Sequence, residues 1–393
     1  MKRTIVLLPG DGIGAVVVPE AVRVMEAAGF QANYVHGDIG WEFWCKEGNP
    51  LPDRTIKLLE EHRIALFGAI TSKPKEAAAA ELAPELHGKG YTYTSPIVGL
   101  RQKFNLDISI RPCVSFKGNP LNFIRRGKDG SAEEPKINAV IFRQNTECLY
   151  CGIEWTNPPD VVFDALKTHP KFKAFAAGPR EDLAVSVRIF TRKACQRILR
   201  AAFEHAKAHG WNTVTVCEKP NVVRETSGMM LSEANKMAKE HPGIGVQDTN
   251  IDAQMMWLTK NPEDYHVIVS GNMFGDIASD GFAGLVGGLG FAASANIGDT
   301  CAVFEPTHGS APKYAELKPS IVNPIATILS ACMMLEHIGE TAISERIKGA
   351  IAKVVQEGKV RTYDMAKLSG SAAVFSQGAA STTQMTDAII AAL

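Results

Sequence analysis

Three arginines and three aspartates carry the clearest chemistry in this 393-residue sequence. Arg101 lies in a helix-like stretch, Leu100–Leu106, and Arg111 ends a strand-like run, Asp107–Arg111. Arg143 closes another strand-like run, Ala139–Phe142. A guanidinium can grip a carboxylate through two parallel hydrogen bonds, so three of them at element ends suit a polycarboxylate. Taken alone, the same three could be ordinary ion-paired surface arginines. Asp276 and Asp280 are four residues apart in Gly275-Asp276-Ile277-Ala278-Ser279-Asp280, which sets both on one helix face. Like charges at that spacing repel; Mg²⁺ or Mn²⁺ held by carboxylates and water would compensate them, or the pair could be solvated. Asp252, opening the helical pattern Asp252–Leu258, is available as a third ligand or a base.

The elements that must position these groups alternate along the chain. Strand-like runs fall at Ile5–Leu8, Ile64–Phe67, Ala139–Phe142, Val214–Cys217, Gly245–Gln247 and Val267–Val269. Helical patterns fall at Asp53–Glu61, Lys193–His209, Ser232–Glu240 and Ile325–Ile338, the last with Asn323 as cap and Pro324 in its first turn. This rhythm predicts an α/β protein with at least one largely parallel sheet. Two stretches interrupt it. Ser115–Pro135 is polar and basic, and Asn157–Arg180 is rich in Pro, Lys and aromatics. Long excursions from a compact core usually serve a purpose, and the second suits a dimer-forming arm.

Lysine plus arginine and aspartate plus glutamate both number 42, so no global field favours nucleic acid or a membrane surface. No apolar run reaches the roughly 20 residues of a membrane span, and the N-terminal run lacks the form of a signal peptide. Eight cysteines in a chain with a large core read as thiols, which makes the cytoplasm the expected location. A processed mitochondrial matrix protein would look the same. Cys148-Leu149-Tyr150-Cys151 lacks the second pair that structural zinc needs, so free thiols are expected there. Gly10-Asp11-Gly12-Ile13-Gly14-Ala15 fits a dinucleotide fingerprint, and Asp38 follows at roughly its spacing. It fits a plain strand-to-helix turn as well. Asp11 inside the loop and Pro19 in the early helix favour the turn.

In this order, the motifs resemble the isocitrate/isopropylmalate dehydrogenase family over nearly the whole chain. They are Leu8-Pro9-Gly10-Asp11-Gly12-Ile13-Gly14, Leu100-Arg101 with Arg111-Pro112, Phe142-Arg143-Gln144-Asn145-Thr146-Glu147 with Tyr150, and Lys219-Pro220-Asn221. Asn272 with Gly275-Asp276 and Ser279-Asp280, Phe304-Glu305-Pro306-Thr307-His308-Gly309-Ser310-Ala311-Pro312, and Asn323-Pro324 complete them. The resemblance implies a two-domain α/β fold of the family's own kind, not a classical Rossmann domain. Residues 1–106 and 287–393 would form a large cofactor-binding domain. Residues 107–286 would form a small substrate and dimerisation domain, with an arm near 148–191.

The resemblance also implies roles. Arg101, Arg111 and Arg143 would hold substrate carboxylates, with Ser95 donating to the third one. Asp276, Asp280 and a partner chain's Asp252 would hold Mg²⁺ or Mn²⁺. Tyr150 would protonate the enol left by decarboxylation. Lys219 of the partner subunit would relay the hydroxyl proton, with Asp252 as nearby base. A shared site makes the expected assembly a homodimer, with a small polycarboxylate as the other partner and neither nucleic acid nor membrane.

The cofactor would lie against His308, Gly309, Ser310, Ala311, Pro312, Lys313, Tyr314, Asn323, Tyr363 and Lys367. Lys313-Tyr314 resembles NADP-using members, whereas NAD-using members carry an acid there, so NADP is expected and NAD remains open. Lys367 departs from the family's arginine, keeping the charge and losing the fork. Ile97 departs from the isocitrate-type asparagine and suits a substrate with an apolar or longer arm. The expected reaction is oxidative decarboxylation of isocitrate. 3-Isopropylmalate or homoisocitrate with NAD, or a non-catalytic regulatory subunit, are the alternatives.

Overall fold

The computed structural model describes residues 2–393. One ten-stranded sheet runs through the molecule. Its strands lie in the order Gly245–Asn250, Thr213–Glu218, Val267–Ser270, Asn138–Gln144, Ile108–Val114, Ala293–Ile297, Ala302–Pro306, Ile64–Ala69, Arg3–Gly10 and Ala32–His36. Both outer parts of the sheet are parallel. In the middle, Ile108–Val114 runs antiparallel to both its neighbours, and Ala293–Ile297 runs antiparallel to Ala302–Pro306. The α/β alternation read from the sequence is therefore present, with antiparallel strands at the centre.

Side-chain parity along the central strands decides what meets what. In Asn138–Gln144, Val140 and Phe142 pack with Ile198, Leu199 and Phe203 of helix Arg192–Ala208. Ala139 and Ile141 point to the other face, against Phe282 of helix Asn272–Leu285. Successive residues of a strand face opposite ways, so Arg143 joins the Ala139–Ile141 side. In Ile108–Val114, Cys113 belongs to that same side, and Arg111 shares its parity. Both arginines thus face the helix that carries Asp276. Elsewhere, helices Gly14–Ala27, Ile325–His337 and Thr341–Glu357 cover the strands near the chain's N-terminus, with Val24, Ile328 and Ile351 fully buried.

Several boundaries differ from expectation for local reasons. The helix expected at Leu100–Leu106 spans Pro96–Lys103, because Pro96 suits a first turn and Asn105 adopts a left-handed φ of 46° that ends it. The helix expected from Ser232 begins at Arg224. Thr226, Ser227 and Gly228 disfavour helix intrinsically, but buried Ser227 donates to Glu218 at 2.6 Å. Pro324, not Asn323, takes the cap position of helix Ile325–His337, and the Asn323 side chain accepts from the Ile325 N–H at 3.0 Å from one residue further out. The excursion around Asn157–Arg180 holds helix Asp160–Lys167, and Glu154–Thr156 pairs with Ala184–Ser186 at its base. The Ser115–Pro135 stretch carries a small hairpin, Arg125–Arg126 against Ala132–Glu133. No helix among the described residues is long and apolar enough to cross a membrane.

Candidate active site

Helix Asn272–Leu285 lies across the central strands with Gly275 against Arg143. A Cβ on Gly275 would sit 2.9 Å from both Cβ and Cγ of Arg143, so only glycine lets this helix come so close. The approach brings charges together. Asp276 Oδ1 accepts from Arg143, and from Arg111 at 3.1 Å. Arg111 also donates to Ser279 at 2.8 Å and reaches Asp280 at 3.4 Å. Asn272 Oδ1 accepts from Nε of Arg143 at 2.8 Å and from its second terminal nitrogen at 2.6 Å. The Tyr150 hydroxyl donates to Asp276 Oδ2 at 2.8 Å, and the Arg143 guanidinium lies 5.3 Å from the centre of its ring.

Three arginines, Arg101, Arg111 and Arg143, meet three carboxylates, Asp276, Asp280 and Glu305, in this pocket. Arg143 is 1% exposed. Burial, then the neighbouring Arg111, pushes its guanidinium down to about 9. Burial works against ionisation of Asp276, but Arg143 and Arg111 outweigh it and hold the carboxyl below its ordinary range. For Asp280, burial outweighs the pull of Arg111 and raises the value. Burial, and next its bond to Asp276, raises Tyr150. Arg101 donates to Glu305 at 3.0 Å. The Nε atoms of Arg101 and Arg111 are buried without a hydrogen-bond partner. Unpaired buried donors are costly, and a carboxylate entering the pocket would satisfy them.

The oxygen-donor set of Asp276 and Asp280 suits Mg²⁺ or Mn²⁺. Among the described residues, no cluster of three or more His, Cys, Asp or Glu side chains could hold a metal within one chain. Asp252 pairs instead with Lys219, which holds its carboxyl low. Neither residue bonds to the Asp276 group. Ser95 stands at the start of helix Pro96–Lys103, and its hydroxyl makes no capping bond.

A second cleft, of about 480 Å³, is lined by His308, Gly309, Ala311, Tyr314, Asn323 and Tyr363, together with Ile13, Gly290 and Asp364. The Nε2 of His308 is buried there without a partner. Burial, then Asp364 and Tyr314, pushes Tyr363 up to about 12. Ser310, Pro312, Lys313 and Lys367 lie outside this lining. The exposed Lys313 ammonium sits 4.7 Å from the centre of the Tyr314 ring, and Lys367 is exposed with a φ of 57°.

The glycine loop has no room for a pyrophosphate. A Cβ on Gly12 (φ 56°) would meet the Ser310 carbonyl oxygen at 2.2 Å. Asp11 accepts from the Trp41 and Thr71 N–H groups at 2.7 and 2.8 Å, and Asp38 pairs with Arg54. The loop packs the chain against the His308 segment. Cys148 is buried and Cys151 half-buried, both as free thiols.

Three residues that shape the pocket carry no assignment from sequence. Glu305 holds Arg101, Asn272 holds Arg143, and Ser279 holds Arg111. Each lies more than a hundred residues from its partner, and the strand parity above is the only sequence signal that could have paired any of them.

Sheet and site together define an α/β protein with an arginine–aspartate pocket and without a Rossmann phosphate loop. The chain belongs to the isocitrate/isopropylmalate dehydrogenase family, whose model matches residues 4–389. It is 37% identical to protein DlpA of Legionella pneumophila over 98% of this chain, and spans 58% of that protein's length. It is 39% identical to homoisocitrate dehydrogenase of Methanocaldococcus jannaschii over 90% of each chain. The crystal structure of isocitrate dehydrogenase from Methylococcus capsulatus superposes with a TM-score of 0.81 at 36% identity, covering 99% of both chains.

Proposed function

We propose that this chain is an NADP-dependent isocitrate dehydrogenase that yields 2-oxoglutarate and CO₂. The observation that carries the reading is the pair of buried, unpartnered Nε atoms of Arg101 and Arg111 beside Asp276 and Tyr150. An anion with several carboxylates would satisfy those donors. In this reading Arg101, Arg111 and Arg143 hold the acid, and Ser95 donates to its third carboxylate. Asp276 and Asp280, with the partner subunit's Asp252, hold Mg²⁺ or Mn²⁺. When bound, NADP would supply the hydride acceptor, and the cation would supply a Lewis acid for the hydroxyl and for the charge left as CO₂ departs.

The chain's own residues move the protons. The partner subunit's Lys219 relays the hydroxyl proton: its ammonium gives a proton to the partner subunit's Asp252, its ion-pair partner within each chain, and the neutral amine so formed takes the proton from the hydroxyl. Tyr150, kept protonated by its surroundings, delivers a proton to carbon after decarboxylation. NADP lies in the cleft of His308, Gly309, Ala311, Tyr314, Asn323 and Tyr363, next to Ser310 and Pro312, with Lys313 and Lys367 outside it to meet the 2′-phosphate. Residues 1–106 and 287–393 act as the large domain and residues 107–286 as the small one; separate hydrophobic clusters support this division. A homodimer buries the arm near 148–191, where Val161 and Phe175 are exposed. The working compartment is the cytoplasm or a mitochondrial matrix.

Ile97 favours one second reading. It packs on the cluster of Leu51 and Leu100 and offers no polar group to a short acid, which suits homoisocitrate. A single panel tests both. The purified chain is assayed with Mg²⁺ or Mn²⁺, NADP or NAD, and isocitrate, homoisocitrate or 3-isopropylmalate. Fastest turnover with isocitrate and NADP is expected; preference for another acid moves the assignment, and turnover by the chain alone excludes a regulatory subunit.

A further inference from the structure

A polar relay is buried where the two halves of the sheet meet. The Asn145 side-chain N–H donates to Oδ1 of Asn296 at 2.7 Å. The Asn296 side-chain N–H donates in turn to Oε1 of Glu305 at 2.8 Å, and that same oxygen accepts from Arg101 at 3.0 Å. Asn296 is fully buried, and Asn145 and Glu305 nearly so. Both amides point their donors towards the carboxylate, so their dipoles add. The bonds also tie together separate elements. Asn145 lies just past strand Asn138–Gln144 and bonds the Asp107 carbonyl at 3.0 Å through its backbone N–H. Asn296 sits on strand Ala293–Ile297, Glu305 on Ala302–Pro306, and Arg101 on helix Pro96–Lys103.

Glu305 occupies one terminal nitrogen of Arg101 and leaves Nε buried and unpaired. The guanidinium is therefore fixed in place while a bonding edge stays open. Two atoms of the relay stay buried without a hydrogen-bond partner, Oδ1 of Asn145 at one end and Nε of Arg101 at the other, and unpaired buried polar groups are costly. The far end, Asn145, lies two residues beyond Arg143, so the relay also fixes the first arginine relative to the third.

We infer that Asn145 and Asn296 are positioning residues for substrate, acting through Glu305 to aim Arg101 at a carboxylate of the bound acid. This rests on the proposed function, since it requires Arg101 to bind the acid that is turned over. Neither asparagine touches substrate. Each sets the direction of a group that does, and misdirection by a fraction of a bond length weakens binding without changing the reacting groups.

A double-mutant cycle tests the inference on the full-length chain, using whichever acid of the panel turns over fastest. Asn296→Ser should raise KM for the acid about tenfold or more, leaving kcat within about threefold and KM for the cofactor unchanged. Asn145→Ser should raise it less. In an Arg101→Met background both effects should vanish, because residues that act through one another are not additive. Effects that persist undiminished in the Arg101→Met background, or cofactor KM rising in parallel, would overturn the inference while leaving the activity assignment standing. Failure of the wild-type chain to turn over any acid overturns both. If Asn296→Ser does not fold, the Asn145→Ser pair decides in the same way.

Discussion

The Tyr150 hydroxyl donates to Asp276 at 2.8 Å, on the carboxylate oxygen opposite the one that accepts from Arg143 and Arg111. One aspartate thus holds the phenol proposed as proton donor and both strand-borne arginines. Burial and the bond to Asp276 raise Tyr150 above its ordinary value of 10.0. The sign follows directly: the protonated phenol, the form able to donate, persists through neutral pH and is lost only as pH climbs through that raised value. The alkaline limb of kcat against pH should therefore lie above 10.0 and be missing in Tyr150→Phe. That variant should lose about 10²–10⁴-fold in kcat with KM for the acid little changed. A Tyr150→Phe enzyme with near-normal kcat would remove Tyr150 from the chemistry.

Much of this pocket is legible in the sequence because strand parity is simple. Arg111 and Cys113 share one face of a strand, as do Arg143, Ile141 and Ala139, and the apolar members of each set show which helix they meet. The i, i+4 spacing puts Asp276 and Asp280 on one helix face in the same way. What strand-like runs cannot reveal is direction. The antiparallel insertion of Ile108–Val114 and Ala293–Ile297 sets Glu305 beside Arg101, 204 residues away in sequence. Asn272 and Ser279 read as ordinary helix residues until the helix is laid across the sheet. The segment expected to meet a cofactor shows the converse case: the residues read as one continuous contact divide, with His308, Tyr314 and Tyr363 lining a cleft and Lys313 and Lys367 outside it.

Asp276 and Asp280 stand in different surroundings, so neutralising each should have different consequences. Asp276 is the counter-charge of Arg143, which is nearly inaccessible to solvent. Asp276→Asn leaves that guanidinium bonded to Asn272 but without its ion pair, and should cost about 3 kcal/mol of stability. Asp280 is exposed and contacts Arg111 only at 3.4 Å, so Asp280→Asn should change stability by less than about 0.5 kcal/mol. Both variants should bind Mn²⁺ at least about tenfold more weakly if both carboxylates are ligands. Denaturant unfolding without metal measures the first contrast, and Mn²⁺ titration the second. Equal stability losses would show that the buried pair does not hold the helix, and unimpaired Mn²⁺ binding by Asp280→Asn would strike that residue from the ligand set.

Lys313 is the residue proposed to set cofactor choice. Its ammonium is exposed at the edge of the His308 cleft, resting near the Tyr314 ring, and no acid among the described residues forms an ion pair with it. Replacing it should therefore leave folding within about 0.5 kcal/mol of wild type. Two unit charges at about 4 Å in water interact by about 1 kcal/mol, so reversing the sign with Lys313→Asp moves a phosphate contact by about 2 kcal/mol. That is about a thirtyfold fall in the ratio of kcat/KM for NADP to that for NAD. An exposed pair is also screened, so the shift should shrink as ionic strength rises from about 0.01 M to 1 M. NAD has no 2′-phosphate to repel, so its kcat/KM should hold or rise in the same variant. A ratio that stays put at low salt would mean the 2′-phosphate does not approach this lysine, and would transfer the selectivity argument to Tyr314, Tyr363 and Lys367.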